Sequence, residues 1–245
     1  MININTFSIA ARCPRTGMFG VAVSTAVPCV GGIVPYIKPG LGAIATQSWV
    51  NPYLGIDGLV LLEQGLSAEA CLDKLMADDP GRTVRQLGIV DAQGRVATHT
   101  GSDCVEWAGH KTGHQFTVQG NMLVGAATID AMAEAAAASE ASPLHERLML
   151  VLEAGQAAGG DKRGKQSAAL KVFNKEHYAW LDVRVDEHRH PVAELRRVFE
   201  IAKQQLLPFV DGMPSRHDPL GLIPAAVTAM IMTPPQYRPG GSGGA

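Results

Sequence analysis

The stretch from Thr6 to Ser24 constrains the fold of this chain most. Two short apolar runs, residues 6–12 and 18–24, flank the turn Pro14-Arg15-Thr16-Gly17. Apolar runs on either side of a turn with Pro and Gly are typical of a β-hairpin. Because antiparallel strands bring the start of one strand to the end of the other, the hydroxyls of Thr6 and Ser24 are predicted to face each other at one edge of a sheet. This edge is the first candidate for an active site.

Composition and charge narrow the possible partners. The 245 residues fit one domain best, and with 46% hydrophobic and 18% charged residues they can bury a sizeable core. A formal net charge of −2 without a long basic run disfavours nucleic acid as a partner. No apolar stretch reaches the roughly 18 residues of a membrane span, and the first residues do not have the pattern of a signal peptide. We therefore expect a cytoplasmic protein that binds neither nucleic acid nor membranes.

The sequence predicts no metal site and no cofactor. Its four cysteines lie far apart and form no Cys-x-x-Cys pair; they are Cys13, Cys29, Cys71 and Cys104. This spacing disfavours a zinc site or a disulfide framework and fits a reducing cytosol. His110 and His114 are four residues apart, but Gly109 and Gly113 beside them argue against a helix that would present both rings to a metal.

The order of predicted elements indicates an α+β fold. Strands are predicted at residues 6–12, 18–24, 41–48, 84–90, 95–100, 116–119, 166–173 and 178–185, and helices at 59–62, 68–76, 126–140, from 142 onward and at 191–207. Hairpin turns join the strands, which favours antiparallel sheets covered by helices over a parallel doubly wound sheet. Residues 1–207 are predicted to form a single catalytic domain. Residues 208–245, rich in Pro and Gly, form a C-terminal extension that either wraps over a surface or is loosely ordered.

Thr6 has two interpretations. As an N-terminal nucleophile, its hydroxyl needs the free α-amine of the first residue as a base. Residues 1–5 precede it, so they are either removed or Thr6 is not such a nucleophile. Thr6 is otherwise an ordinary β-branched strand residue. Ser8 shares a face with Thr6, because alternate residues of a strand point the same way.

Further candidate residues lie where predicted strands end. Gln47 and Ser48 end the third strand, and side-chain amides orient substrates and oxyanions well. A buried Gln47 also requires hydrogen-bond partners. Asn51 follows, although Asn before Pro52 is equally typical of a turn cap. His99 ends another strand and is a candidate for proton transfer, although most of the eight histidines are expected to be ordinary surface or core residues.

Two charged segments are candidates for binding carboxylates. Residues 159–167 form the most polar loop, whose Arg163 can pair with a carboxylate through two hydrogen bonds. This loop lacks the Lys-Ser/Thr pair of a phosphate-binding Walker loop. Asp182, Arg184 and Asp186 alternate along one predicted strand and share a face. They form either a solvated edge or a polar layer between sheets.

Six segments resemble one known family. They are Thr6-Phe7-Ser8-Ile9, residues 45–52 (ATQSWVNP), His99-Thr100-Gly101, Gly120-Asn121-Met122-Leu123, residues 159–170 (GGDKRGKQSAAL) and residues 182–186 (DVRVD). Together they resemble a bacterial family long catalogued as a domain of unknown function and placed in the N-terminal-nucleophile hydrolase superfamily, over about residues 6–207. The resemblance implies a four-layer αββα sandwich of antiparallel sheets, in agreement with the predicted element order.

The resemblance also implies an activity: hydrolytic deamination of a 2-aminomuconate-type acid in the degradation of aromatic compounds, without a cofactor. The catalytic residues are then Thr6, Ser24, Gln47 and His99, and the substrate-binding residues are Ser48, Asn51, Asn121, Arg163, Asp182 and Arg184. In this hypothesis the arginines bind carboxylates, while His99 or Asp182 moves protons. Deamination of an imine needs no covalent nucleophile, so residues 1–5 do not oppose it.

Two alternative functions stay open. The chain is an amidohydrolase if processing exposes Thr6 as the nucleophile, or it is a non-catalytic binding protein that kept the fold. The expected partner is a small-molecule substrate. An apolar tail and a Gly/Ala-rich core also favour a homo-oligomer.

Overall fold

The computed structural model describes residues 6–160 and 164–232. Its strands are β1 (Thr6–Arg12), β2 (Phe19–Thr25), β3 (Pro35–Lys38), β4 (Gly42–Ser48), β5 (Arg85–Asp91), β6 (Val96–Thr100), β7 (Gly109–Gly113), β8 (Phe116–Asn121), β9 (Ser167–Phe173) and β10 (Leu181–Val185). Its helices are α1 (Pro52–Glu63), α2 (Ala68–Asp78), α3 (Ala127–Ala138), α4 (Leu144–Ala157), α5 (Pro191–Gln205), α6 (Leu207–Val210) and α7 (Ala225–Met232). The protein is therefore of mixed α and β structure.

The strands form two antiparallel sheets. One has six strands in the order β10-β9-β2-β1-β8-β7, and the other has four in the order β3-β4-β5-β6. The prediction of antiparallel rather than parallel sheets is confirmed. β1 and β5 are central strands of their sheets, so each is covered on both edges.

The first hairpin is confirmed. β1 pairs with β2, and the turn between them closes through a hydrogen bond from Gly17 N to Cys13 O of 2.9 Å. Gly17 has a φ of 73°, a left-handed conformation that glycine adopts at little cost. The second hairpin, β5–β6, is also confirmed, and Asp91 Oδ1 accepts the backbone N–H groups of Gln93 and Arg95 in its turn.

Each sheet has one face against helices and one face against the other sheet. Ile44, Leu87 and Ile89 of the four-stranded sheet pack with α1 and α2 in one apolar cluster. The opposite face of that sheet meets the six-stranded sheet in a second cluster, where Ala45 and Val90 pack with residues such as Val23. Helices α3 and α4 contact the remaining face of the six-stranded sheet. Alternate residues of one strand therefore face either the other sheet or a helix pair.

Local sequence explains where several helices begin. Asn51 caps α1 by accepting the backbone N–H of Tyr53 at 3.1 Å, with Pro52 in the first turn. Ser67 caps α2 by accepting the backbone N–H of Ala70 at 3.1 Å. The start of α2 agrees with the helix predicted at 68–76, whereas α1 begins at Pro52 and not at residue 59 as predicted.

Two strands were missed by the sequence analysis. β3 lies between the strands predicted at 18–24 and 41–48, and β7 contains His110 just after a cis peptide between Glu106 and Trp107. Both are short edge strands, with five residues or fewer. Their pairing with β4 and β8 supplies a strand conformation that their own residues do not favour.

By its internal contacts the chain divides into two compact units, Met1–Arg196 and Arg197–Ala245. The first contains both sheets and helices α1 to α4. The second contains most of α5, together with α6 and α7. The boundary predicted after residue 207 falls inside the second unit and stays a prediction. Throughout residues 6–160 and 164–232, every helix is too short or too polar to cross a bilayer.

The two sheets approach closely at Gly88, which generates a stability prediction. A Cβ on Gly88 would lie 2.2 Å from Gln119 Oε1 and 2.3 Å from Thr117 Oγ1, both in the opposite sheet. We expect Gly88→Ala to lower the free energy of unfolding by about 1–3 kcal/mol, because overpacking a close-packed interior forces side chains off their rotamers. Urea unfolding followed by circular dichroism measures this.

Gly125→Ala is the matched control for this substitution. A Cβ on Gly125 would meet nothing within 4 Å, and its φ is not in the left-handed region. We expect its unfolding midpoint to stay at the wild-type value. A Gly88→Ala midpoint equal to that of Gly125→Ala would contradict the close approach.

Candidate functional site

One end of the space between the two sheets is polar. Its eight neutral side chains, named here the inter-sheet polar cluster, are Thr6, Ser8, Thr25, Gln47, Gln86, Thr100, Gln119 and Asn121. All except Thr100 are at most 1% exposed. Further along the same space the facing residues are apolar, as in the cluster of Ala10, Val21 and Ala43. A buried concentration of hydroxyls and amides in an otherwise apolar interior marks this end as the candidate functional site.

Strand register brings these side chains to one face. In the six-stranded sheet Thr6 lies opposite both Thr25 and Asn121, and Ser8 lies opposite Gln119. In the four-stranded sheet the pairs are Gln47 with Gln86 and Gln86 with Thr100. Directly opposed residues of antiparallel strands project on the same side, so each sheet presents a row of polar groups to the other.

Ser8 joins the two sheets by hydrogen bonds. It accepts from Gln119 Nε2 at 2.6 Å within its own sheet and donates to Gln47 Oε1 at 2.5 Å in the other. The Oε1 of Gln119 and the Oγ1 of Thr117 lie over Gly88 and have no hydrogen-bond partner among residues 6–160 and 164–232. The absent side chain of glycine lets these oxygens approach its Cα, where only weak C–H···O contacts are available.

Gln86 is the most connected member of the cluster. Its Oε1 accepts from Gln47 Nε2 at 2.8 Å and from Asn121 Nδ2 at 3.0 Å. Its Nε2 lies 2.8 Å from Gly120 O, 2.9 Å from Thr100 Oγ1 and 3.1 Å from Gly109 O. Three acceptors share two N–H groups, so one of these hydrogen bonds is bifurcated. Gln86 thereby fixes the relative position of both sheets at this end.

Thr6 lies at the start of β1, where the cluster ends. Its Oγ1 is 3.1 Å from the Oγ1 of Thr25, and its carbonyl accepts from Gln47 Nε2 at 3.3 Å. Ordered hydroxyls beside amide donors can orient a water molecule or polarise a carbonyl or imine. This is the chemistry that the arrangement of Thr6, Thr25 and Gln47 allows.

The cluster reaches the surface at Thr100 and His110. The hydroxyl of Thr100 is 2.8 Å from His110 Nδ1, and Thr100 itself is partly exposed. Burial and, to a smaller extent, the neighbouring His99 lower the pKa of His110 from its ordinary value of 6.5. His110 is therefore mainly neutral at pH 7, as are all eight cluster residues.

The structure brings together three of the predicted site residues, Thr6, Gln47 and Asn121. Ser24 does not face Thr6, because the register places Thr25 opposite Thr6 and Phe7 opposite Ser24. The hydroxyl of Ser24 instead donates to Ser167 O at 3.3 Å. A shift of one residue moves a side chain to the other face of a sheet, which corrects the prediction of facing Thr6 and Ser24 hydroxyls.

His99 and Ser48 are not part of the inter-sheet polar cluster. His99 is paired with Leu87, a member of the apolar cluster under α1 and α2, and its Nε2 is 2.7 Å from Arg82 O. Ser48 follows the inward-facing Gln47, has a φ of 67° and hydrogen-bonds the thiol of Cys104. Neither of these two predicted site residues therefore belongs to the inter-sheet polar cluster.

Asn51 is a helix cap, the second of its two interpretations. Besides capping α1 it hydrogen-bonds the carboxylate of Asp79. Arg85 donates to Asp79 Oδ2 at 2.8 Å and is the main cause that lowers the pKa of Asp79. Asn51 also lines a surface cavity of about 350 Å³ formed by α1, α2 and Pro80. This cavity lies on the helix side of the four-stranded sheet, away from the cluster.

Asp182 and Arg184 lie on the edge strand β10. Asp182 forms an ion pair of 3.0 Å with Lys171, and Arg184 packs over Gly31. β10 is three strands from β1, about 14 Å at the usual spacing of about 4.8 Å. Neither residue contacts the cluster, so both fit the solvated-edge interpretation. Arg163 lies outside the described residues.

Sequence reasoning missed most of the cluster. Ser8 was recognised only as a neighbour of Thr6, and Thr25, Gln86, Thr100 and Gln119 were not singled out. The available signal was alternation: polar Gln86 and Gln119 occur inside apolar runs predicted as buried strands, where an amide must find partners. His110 was considered only as a metal ligand. Among residues 6–160 and 164–232, no three His, Cys, Asp or Glu side chains are grouped to hold a metal ion.

The fold and site define a mixed α/β protein with antiparallel sheets and a buried hydroxyl–amide cluster, and comparison with known proteins gives its family. The model of the "Family of unknown function (DUF1028)" matches residues 6–195. The chain belongs to this family. None of the curated proteins matches it.

Two solved structures are similar to the chain. The crystal structure of protein SPO2555 from Silicibacter pomeroyi, described with the same family model, is 30% identical. The match covers 90% of this chain and 96% of that chain, with a TM-score of 0.82. Anbu (ancestral beta-subunit) from Yersinia bercovieri is 12% identical over 85% of this chain and 100% of that chain. Its TM-score of 0.36 is too low for a shared fold to be inferred.

Gln86 provides a direct test of the cluster. Gln86→Leu removes the acceptor of Gln47 and Asn121 and the donor to Gly120 O, so Asn121 Nδ2 loses its acceptor and Gln47 Nε2 keeps only its hydrogen bond to Thr6 O. We expect the free energy of unfolding to fall by more than about 2 kcal/mol, because each unpartnered buried polar group costs about 1–3 kcal/mol. Urea unfolding measures the change.

The exposed Gln64, which follows α1, supplies the matched control. We expect Gln64→Leu to alter the unfolding free energy by less than about 0.5 kcal/mol. If the two Gln→Leu variants unfold at the same urea concentration, the hydrogen bonds of Gln86 do not hold the cluster.

Proposed function

We propose that this chain is a hydrolase of a non-peptide C–N bond whose active site is the inter-sheet polar cluster. The single observation that carries the proposal is the position of Thr6, at the start of a central strand and inside a buried row of hydroxyls and amides. Such groups orient water and polarise a C=N or C=O bond without a metal or an organic cofactor. A buried hydrogen-bonded network of this kind is also rigid, so it holds these groups in fixed positions.

The preferred reaction is hydrolytic deamination of a 2-aminomuconate-type acid. The enamine tautomerises to an imine, water adds to the imine carbon, and the C–N bond of the resulting carbinolamine breaks. Ammonia leaves with the proton that the water loses, and an oxo acid remains. The neutral cluster suits these steps, because both the attacking water and the imine are uncharged.

Both the substrate class and the reaction type come from the family resemblance, and the neutral cluster is compatible with them. A dicarboxylate needs cationic partners. Arg184 is about 14 Å from β1 at the usual spacing of strands, so it is not placed to bind a carboxylate held at Thr6. Unsaturated amino acids that carry fewer carboxylates are therefore included in the test.

A further part of the proposal concerns the architecture. We infer that α1 and α2, the two sheets, and α3 and α4 are the four layers of an αββα sandwich of the N-terminal-nucleophile hydrolase type. The supporting observations are the helix-to-sheet and sheet-to-sheet contacts described above. In this architecture Thr6 begins a central strand at the end of the inter-sheet space.

An amidohydrolase that uses Thr6 as its nucleophile is the second candidate. It is favoured by the start of the family match at Thr6, the first residue of β1. Removal of residues 1–5 would free the α-amine that such a nucleophile uses as its base. Intact-mass measurement distinguishes the candidates, because this mechanism requires a chain that begins at Thr6.

Ammonia release tests the preferred reaction. We expect the purified protein to release ammonia from 2-aminomuconate, with matching loss of the conjugated ultraviolet absorbance. Thr6→Val keeps the shape of the side chain but loses the hydroxyl, and we expect kcat/KM to fall by about 10²-fold, the usual effect of removing one positioned polar group. No ammonia from the wild-type protein over a panel of unsaturated amino acids would sink the deaminase and favour the binding protein.

Two variants sharpen the result. Thr112→Val makes the same change on an exposed strand and should keep the wild-type rate. Thr6→Ser keeps a hydroxyl, so both candidate mechanisms predict activity for it. If the intact mass corresponds to a start at Thr6, and amides rather than enamines are hydrolysed, the amidohydrolase replaces the deaminase.

A further inference from the structure

A continuous hydrogen-bonded path joins the surface residue His110 to the buried cluster. His110 Nδ1 is 2.8 Å from Thr100 Oγ1, which accepts from Gln86 Nε2 at 2.9 Å. Gln86 Oε1 in turn accepts from Gln47 Nε2, which also reaches the carbonyl of Thr6. The path crosses from the edge strand β7 of one sheet to β6 and β5 of the other.

The direction of these hydrogen bonds depends on the charge of His110. Thr100 already accepts the N–H of Gln86, so its own O–H is available for His110 Nδ1. Only a neutral imidazole with an unprotonated Nδ1 can accept that hydrogen. With the O–H of Thr100 as the donor, His110 is neutral and carries its proton on Nε2.

We propose that His110 is a positioning residue of the candidate active site, acting through Thr100 and Gln86. In its neutral form it fixes the O–H of Thr100, and Thr100 then holds the Gln86 amide in the orientation that binds Gln47 and Asn121. This inference rests on the proposed function for its catalytic consequence, but the structural link can be measured without any substrate.

Protonation of His110 reverses the first hydrogen bond. Nδ1 then carries a hydrogen that it must donate, and the O–H of Thr100 loses its acceptor. Thr100 has to rotate, and its oxygen now serves two donors, Gln86 and His110. The hydrogen bond between Thr100 and the Gln86 amide is consequently weakened, and this amide is the group that links the two sheets.

In the part of the chain that the structure describes, few charged groups lie near His110. His99 of β6 is the titratable group that acts on it electrostatically. On β8 the residue opposite His110 is the neutral Gln119. Lys111 of β7 forms an ion pair of 2.7 Å with Asp130 of α3. Because Lys111 follows His110 in the strand, it points to the opposite face, toward the helices. Protonation of His99 opposes protonation of His110.

The expected pH dependence follows from these contacts. Burial and His99 lower the pKa of His110 from 6.5, so the neutral form persists to a lower pH than in a free imidazole. Turnover should be level near pH 7 and fall as the pH decreases through the pKa of His110. The fall should follow a single protonation.

The experiment compares three histidine variants in the ammonia assay between about pH 5 and 8, the range in which histidines titrate. His110→Gln keeps an acceptor for Thr100 but cannot titrate, so we expect kcat within about threefold of wild type at pH 7 and no acidic decline. His110→Phe offers no acceptor, and we expect kcat to fall about tenfold at every pH, with KM less affected. His177→Gln, at an exposed site elsewhere, should keep the wild-type profile.

A substrate-free measurement separates this inference from the proposed function. In nuclear magnetic resonance spectra, the side-chain amide of Gln86 should shift with pH at the midpoint of the His110 imidazole signals, and it should stop shifting in His110→Gln. If the amide follows His110 but no substrate is turned over, the link stands and the proposed function fails. If ammonia is released and His110→Gln retains the acidic decline, or if the Gln86 amide ignores the titration of His110, the inference is overturned.

Discussion

The polar end of the inter-sheet space depends on the hydrogen bonds of the Gln86 side-chain amide. This amide accepts hydrogen bonds from Gln47 beside it and from Asn121 in the opposite sheet, and it donates to Thr100 and to the carbonyl of Gly120. Apolar side chains hold the two sheets together in the rest of the inter-sheet space. At this end the hydrogen bonds of the Gln86 amide take the place of that apolar packing. Since an unpartnered buried polar group costs about 1–3 kcal/mol, the position of each amide constrains that of the next. The start of β1 therefore lies among hydrogen bonds, which constrain its position and orientation more strictly than apolar contacts would.

The amides of the inter-sheet polar cluster make the site polar without making it charged. Gln47, Gln86, Gln119 and Asn121 can each donate and accept, so they form a connected network without a buried charge. A buried carboxylate in the same place would need a paired cation, with a desolvation cost that the pair does not always recover. The cluster thus combines full burial with neutrality. These conditions suit the reaction proposed above, the addition of water to an imine, and His110 at the edge is the residue through which we propose that pH acts on the site.

Sequence-based prediction succeeded where the determining interactions are local. The β1–β2 and β5–β6 hairpins follow from their turn residues, and α2 begins after the cap Ser67 as predicted. Helix α1 instead begins at Pro52, well before the predicted start at residue 59. Sequence-based prediction failed where the result depends on which face of a strand a side chain occupies. Thr6 and Ser24 were expected to face each other, but a register shift of one residue puts Thr25 opposite Thr6. Which residues of the two sheets meet depends on how one sheet lies on the other, and no local pattern in either strand contains that information.

The segment His99-Thr100-Gly101 shows what this means for a motif. His99 attracts attention as an acid–base group, but its ring lies on the helix side, 2.7 Å from Arg82 O. Gly101 allows close approach to the same segment, since a Cβ there would lie 2.2 Å from Thr83 O. Both neighbours therefore anchor the end of β6 to residues 82–83, and this anchoring holds Thr100 between them with its hydroxyl toward the cluster. The motif positions a hydroxyl, and the histidine that contacts this hydroxyl comes from β7 in the other sheet.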